Sequence, residues 1–112
     1  MVARNSSLIY SDISVIISTL DEELGIKPTI CELKEVLSNS RFIVVDGGSK
    51  DRTVEIAKDL GADVFIQDGE CKGDAIRNGL NKIHCNTRYV VLNDADYTYP
   101  AAKLNAMISI LN

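Results

Sequence analysis

The chain has 112 residues, 46% hydrophobic and 25% charged, with 12 Lys+Arg against 16 Asp+Glu and a formal net charge of −4. That length and balance fit one ordinary globular domain over residues 1–112 and exclude disordered, collagen-like and disulfide-scaffold classes. A polyanion binder needs surplus cations, so no nucleic-acid partner is expected, and an anionic ligand has to be held locally by a metal or by backbone N–H groups.

Cys31, Cys71 and Cys85 are widely spaced, form no Cys-x-x-Cys, and have only His84 as a neighbouring metal-type ligand. A structural zinc site is therefore not expected, and free thiols in a reducing cytosol are. No apolar run approaches the ~18–20 residues of a membrane span. Residues 1–12 are polar and lack an apolar signal core, so a cytoplasmic location is expected.

In chain order, Ile13–Ile17 reads as a buried strand. From Glu22 the apolar spacing turns helical through Ile26, Ile30, Leu33, Val36 and Leu37, with Pro28 tolerated near the first turn. Phe42–Val45 is a second strand, stopped at Asp46-Gly47-Gly48. Ser49 is the predicted cap of a helix through Val54, Ile56, Ala57 and Leu60, with Asp51 in its first turn and Gly61 as its stop. Ala62–Gln67 is a third strand, followed by a helix opened by Asp74 and carrying Ala75, Ile76, Leu80 and Ile83. Tyr89–Leu92 is a fourth strand, Asn93–Tyr99 a loop, and Pro100 opens a last helix with Leu104, Met107, Ile108 and Leu111. Such alternation predicts an α/β fold, three-layered α/β/α around a mostly parallel sheet.

Ligands of open α/β sheets sit outside the carboxyl ends of the strands, so the segments following each strand carry the functional reading. After the first strand, Thr19-Leu20-Asp21-Glu22-Glu23 is neither a dinucleotide fingerprint nor a P-loop. Its three acids suit a ribose or base better than a bare pyrophosphate, and helix N-terminal charge placement explains them equally well. After the second strand, Asp46 can accept from a base N–H and the glycines allow close approach; a plain turn is the alternative. After the third, Lys72 and Arg77 cluster at a Gly-flanked helix start and suit phosphate or a base carbonyl, or else are solvated helix charges. After the fourth, Asp94 and Asp96 stand at i and i+2, so both carboxylates can approach one divalent cation.

The segments 19–23, 44–53, 72–79 and 94–100 together resemble the inverting family 2 glycosyltransferases of the GT-A fold, with the dolichyl-phosphate mannose or glucose synthases nearest in look. The resemblance runs from Ile13 to the C-terminus and implies binding of a GDP- or UDP-hexose at the strand ends. It implies base and ribose contacts for Thr19, Glu22 and Asp46, and nucleotide closure for Lys72 and Arg77. It also implies that Asp94 and Asp96 hold Mn²⁺ or Mg²⁺ against the diphosphate, with Asp94 facing the donor as well. Asp21 departs from the usual Asn, and Gly47 from a frequent second acid.

By the same resemblance the acceptor half would lie beyond this chain, and with it any general base and any membrane helices. The expectation is thus a donor-binding half that gives its hexose to a polyprenyl (dolichyl) phosphate at the cytoplasmic membrane face, self-associates, and contains no catalytic residue beyond the metal site. The alternative reading is a non-catalytic α/β module that binds only nucleotide or a partner protein. A receiver domain is disfavoured because its third strand would end at Gln67-Asp68 and no matching late Lys remains. A nucleotidyltransferase is disfavoured because the first loop lacks its Gly-rich, Arg-bearing pattern.

Overall fold

The computed structural model describes residues 13–37, 40–69, 71–83, 87–95 and 106–109. Strands β1 (Ile13–Thr19), β2 (Arg41–Asp46), β3 (Asp63–Ile66), β4 (Tyr89–Asp94) and β5 (Ala106–Ser109) form one sheet in the order β3-β2-β1-β4-β5. Among the described residues three helices cover it: α1 (Ile26–Val36), α2 (Thr53–Asp59) and α3 (Lys72–Leu80). The first four strands pair in parallel, and β5 runs antiparallel to β4 with Val90 opposite Ile108.

The inner strands read as unbroken apolar runs because both faces of the sheet are covered. On one face Val15 and Ile17 of β1, Val44 of β2 and Val91 of β4 pack against Ile26, Ile30 and Leu33 of α1 and Ala57 of α2. On the other face Ile16, Ile43, Val45 and Val90 pack against Ala75 of α3. Each such fully buried Val, Ile or Leu side chain contributes about 1.5–3 kcal/mol. The expected three layers are therefore present. Ser14, the polar interruption in β1, is buried and shares a 2.8 Å hydroxyl–hydroxyl hydrogen bond with Thr87.

Helix α3 lies unusually close to the sheet. A Cβ at Gly79 would stand 2.6 Å from Cγ2 of Ile16, so only a residue without a side chain lets the helix seat there.

Three sequence expectations are corrected. The predicted last helix is overturned where it is described: residues 106–109, including Met107 and Ile108, form β5. An apolar run this short fits either period, and pairing with the backbone edge of β4 decides for strand. Ser49 does not cap α2, which starts at Thr53; its hydroxyl donates to Asp46 instead. Asp51 precedes that helix rather than lying in its first turn, and its Oδ1 accepts the Thr53 N–H at 2.9 Å. Gly61 does stop α2, at a φ of 91°.

Among the described residues no helix is long and apolar enough to cross a membrane. Cys31 and Cys71 are free and exposed, and Cys85 lies outside the described residues.

Candidate functional site

The carboxyl ends of the parallel strands line up in register. Ser18 pairs with Asp94, Thr19 with Asp46, and Asp46 with Ile66. Above this edge opens a cleft of about 470 Å³, walled by Ser18, Thr19, Leu20 and Glu22 from β1 and its loop and by Gly47 after β2. Gln67, Gly69, Cys71 and Ala75 close it from β3 and α3, and Asp94 and Ala95 from β4.

Two loops form the rim and are stitched to each other. The Asp21 N–H donates to Ser49 Oγ at 2.8 Å, and the Lys50 N–H returns a bond to Asp21 Oδ1 at 2.7 Å. The Glu22 N–H donates to Thr53 Oγ1 at 2.8 Å, and the Arg52 N–H to Glu23 Oε1 at 3.0 Å. Two of the three acids at 21–23 therefore serve as loop ties. Asp21 has a φ of 52°, a region where Asn and Asp are the enriched non-glycine residues, so its departure from Asn leaves the backbone unchanged.

Beneath the rim, Asp46 is 1% exposed and fully engaged. Its Oδ1 accepts the hydroxyls of Thr19 at 2.7 Å and Ser49 at 2.5 Å. Its Oδ2 accepts the N–H groups of Gly48 at 2.9 Å and Ser49 at 2.7 Å. Burial pushes this carboxyl up, but the hydrogen bonds from Ser49, Thr19 and Gly48 together outweigh it and hold it below the ordinary 3.8. Asp51 is also held low, chiefly by the Thr53 hydroxyl.

A group held low in the folded state stabilises it above the unfolded pKa and ceases to do so as pH falls through the folded value. Unfolding midpoints in urea should therefore be level above about pH 4–5 and decline below about pH 4. A midpoint flat down to pH 2 would show that neither carboxylate is tied in this way.

The structure brings Thr19, Glu22 and Asp94 together in the cleft wall. Asp46 lies behind that wall, bonded to Thr19 rather than lining the opening. Arg77 is not among the lining residues; its guanidinium pairs with Asp74 one turn back, at 2.7 Å. Lys72 is the first residue of α3, and Asp96 lies outside the described residues.

Sequence reasoning passed over Leu20, Gln67 and Cys71, all of which line the cleft. Gln67 was legible from its place directly after a strand, had β3 been ended at Ile66. Leu20, 57% exposed, carried a signal only as an apolar residue inside a polar turn.

Glu22 and Asp94 give the lining two carboxylates, and no Lys or Arg is among the described lining residues. Over this acidic strand-end cleft, residues 14–112 match the profile of glycosyl transferase family 2. The chain belongs to that family. As a family 2 glycosyltransferase chain it is 40% identical over 72 residues to Glycosyltransferase AglJ of Haloferax volcanii, covering 64% of this chain and 23% of that protein. It is 29% identical over 103 residues to a dolichyl-phosphate hexose transferase of the same organism, covering 92% of this chain and 44% of the relative. It thus spans less than half the length of either relative.

Among solved structures it superposes on glucosyl-3-phosphoglycerate synthase of Mycobacterium tuberculosis, crystallised with Mn²⁺, UDP and glucosyl-3-phosphoglycerate. The TM-score is 0.68 at 26% identity, over 81% of this chain and 36% of that one. The sheet and its covering helices are those of the GT-A fold.

Proposed function

We propose that this family 2 chain is the donor-binding part of a metal-dependent, inverting glycosyltransferase. It binds a nucleoside-diphosphate hexose for transfer to a polyprenyl phosphate. The observation that carries the reading is the position of Asp94, at the carboxyl end of β4 in a cleft whose described lining is acidic. A diphosphate entering beside Glu22 and Asp94 needs a counter-charge between itself and those carboxylates. A divalent cation supplies it, and hard oxygen ligands of the Asp type suit Mn²⁺ or Mg²⁺. Asp94, with Asp96 by family resemblance, would hold the ion, which when bound offsets the charge developing on the leaving diphosphate.

Support for a metal and a UDP-type donor comes from the mycobacterial synthase crystallised with Mn²⁺ and UDP. Support for a lipid-phosphate acceptor comes from the relative named as a dolichyl-phosphate hexose transferase. Such an acceptor is largely dianionic at neutral pH, its second pKa being about 6, and so needs little help from a general base.

Isothermal titration of UDP-glucose and GDP-mannose, with and without Mn²⁺, tests the reading. Binding is expected to require or be strengthened by Mn²⁺, and Asp94→Ala to abolish that gain while changing the unfolding free energy by no more than about 1 kcal/mol. A variant that keeps the full Mn²⁺-dependent affinity would remove Asp94 from the metal site. Failure of both donors to bind the wild-type chain would favour a module that binds a partner protein instead.

A further inference from the structure

Gln67 leaves β3 and reaches across the cleft wall to the turn that precedes α3. Its Nε2 donates to the carbonyls of Gly69 at 3.0 Å and Cys71 at 2.9 Å. Both amide hydrogens are thereby used, and a flipped amide would set its oxygen against two carbonyl oxygens. The orientation of Oε1 is consequently fixed, and among the described residues Oε1 has no hydrogen-bond partner of its own.

That oxygen lies beside Gly47, where the second strand's loop presents bare backbone to the cleft. The point where a Gly47 Cβ would stand is 3.4 Å from Gln67 Oε1, 3.5 Å from the Thr19 carbonyl and 3.8 Å from Leu20 Cδ1. The Thr19 carbonyl already accepts the Gly47 N–H at 2.9 Å. The result is a small niche with one committed acceptor, one uncommitted acceptor and an apolar wall. Neither a phosphate nor a metal-bound carboxylate suits a niche lined by oxygen acceptors and a leucine. A flat ring that offers an N–H at its edge does.

Resting on the donor-binding reading above, we infer that Gln67 is a specificity-determining residue whose Oε1 accepts the ring N–H of the donor's nucleobase. Gly47 leaves the space for that ring edge. Uracil, through N3–H, and guanine, through N1–H, share the required chemistry. A fixed acceptor that the ligand covers without pairing disfavours an analogue lacking the donor.

The test titrates the wild-type chain, in Mn²⁺, with UDP, 3-methyl-UDP, GDP and 1-methyl-GDP. Whichever parent nucleotide binds better should lose on the order of tenfold or more in affinity on methylation. Gln67→Met removes the acceptor and should bring the methylated and parent nucleotides to within about twofold of each other. Gly47→Ala keeps every bond of Gln67 and meets its neighbours at ordinary contact distance, yet it fills the niche. It should weaken the parent nucleotide by about tenfold in a chain that still folds. Equal binding of parent and methylated nucleotides to wild type overturns the inference and leaves donor binding intact, as does undiminished binding by Gly47→Ala. Absence of binding by both UDP and GDP overturns donor binding itself, and this inference with it.

Discussion

Asp46→Ala is expected to lower the unfolding free energy by about 2–4 kcal/mol and to weaken nucleotide binding through the loops it organises. Four hydrogen bonds converge on this carboxylate, from Thr19 and Ser49 hydroxyls and from the N–H groups of Gly48 and Ser49. Removing the acceptor strands the two N–H donors in a turn that cannot reorient without breaking the ties from Asp21 to Ser49 and Lys50. The two hydroxyls can rotate, so they suffer less. Asn in place of Asp retains an oxygen for the N–H groups and presents an NH₂ that the hydroxyls can accept. Asp46→Asn should therefore cost about half as much. It should also lessen the acid sensitivity of the fold, because the buried group no longer titrates. Urea unfolding of the three proteins at pH 7 and pH 3 measures both effects. An Ala variant as stable as wild type would reduce Asp46 to a replaceable turn residue.

Gly79→Ala is expected to destabilise the chain by about 1–3 kcal/mol, against the usual direction for this change in a helix. In an open helix Ala is favoured over Gly by about 1 kcal/mol. Here the added methyl would lie 2.6 Å from Ile16 Cγ2 and 3.0 Å from its Cδ1. Ile16 is β-branched, buried in the middle of β1 and clustered with Ile43, Val45 and Val90, so a change of its rotamer is opposed by packed neighbours. Helix α3 must lift instead, carrying Ala75 and Cys71 away from the cleft they line. Gly73→Ala is the internal control. It lies in the same helix with nothing within 4 Å of the new methyl, and should be neutral or stabilising by up to about 1 kcal/mol. A loss of unfolding free energy in Gly79→Ala beside none in Gly73→Ala would establish the close seat of α3 on the sheet. Equal effects would refute it.

Much of this protein was determined by its sequence alone. Alternating β-branched runs and 3.6-residue spacings set four strands and three helices in their order, and right-handed crossover then leaves a parallel sheet with covered faces. The rule that ligands sit at strand carboxyl ends pointed to the segments from which Thr19, Glu22 and Asp94 line the cleft, because it depends only on chain direction, which sequence carries. Tertiary structure decided what depends on partners distant in sequence. Met107 and Ile108 suit either period, and only the unpaired edge of β4 makes them a strand. Asp46 had the sequence profile of a ligand-facing acid, yet Thr19 and Ser49 claim its carboxylate and place it behind the wall. Gln67 looked like the end of a strand until the carbonyls of Gly69 and Cys71 took both its donors. Local pattern determines which backbone forms, since periodicity and turn chemistry act within a few residues. Which polar atom remains over for a ligand is set by the whole set of hydrogen-bond partners, and that set exists only in the folded chain.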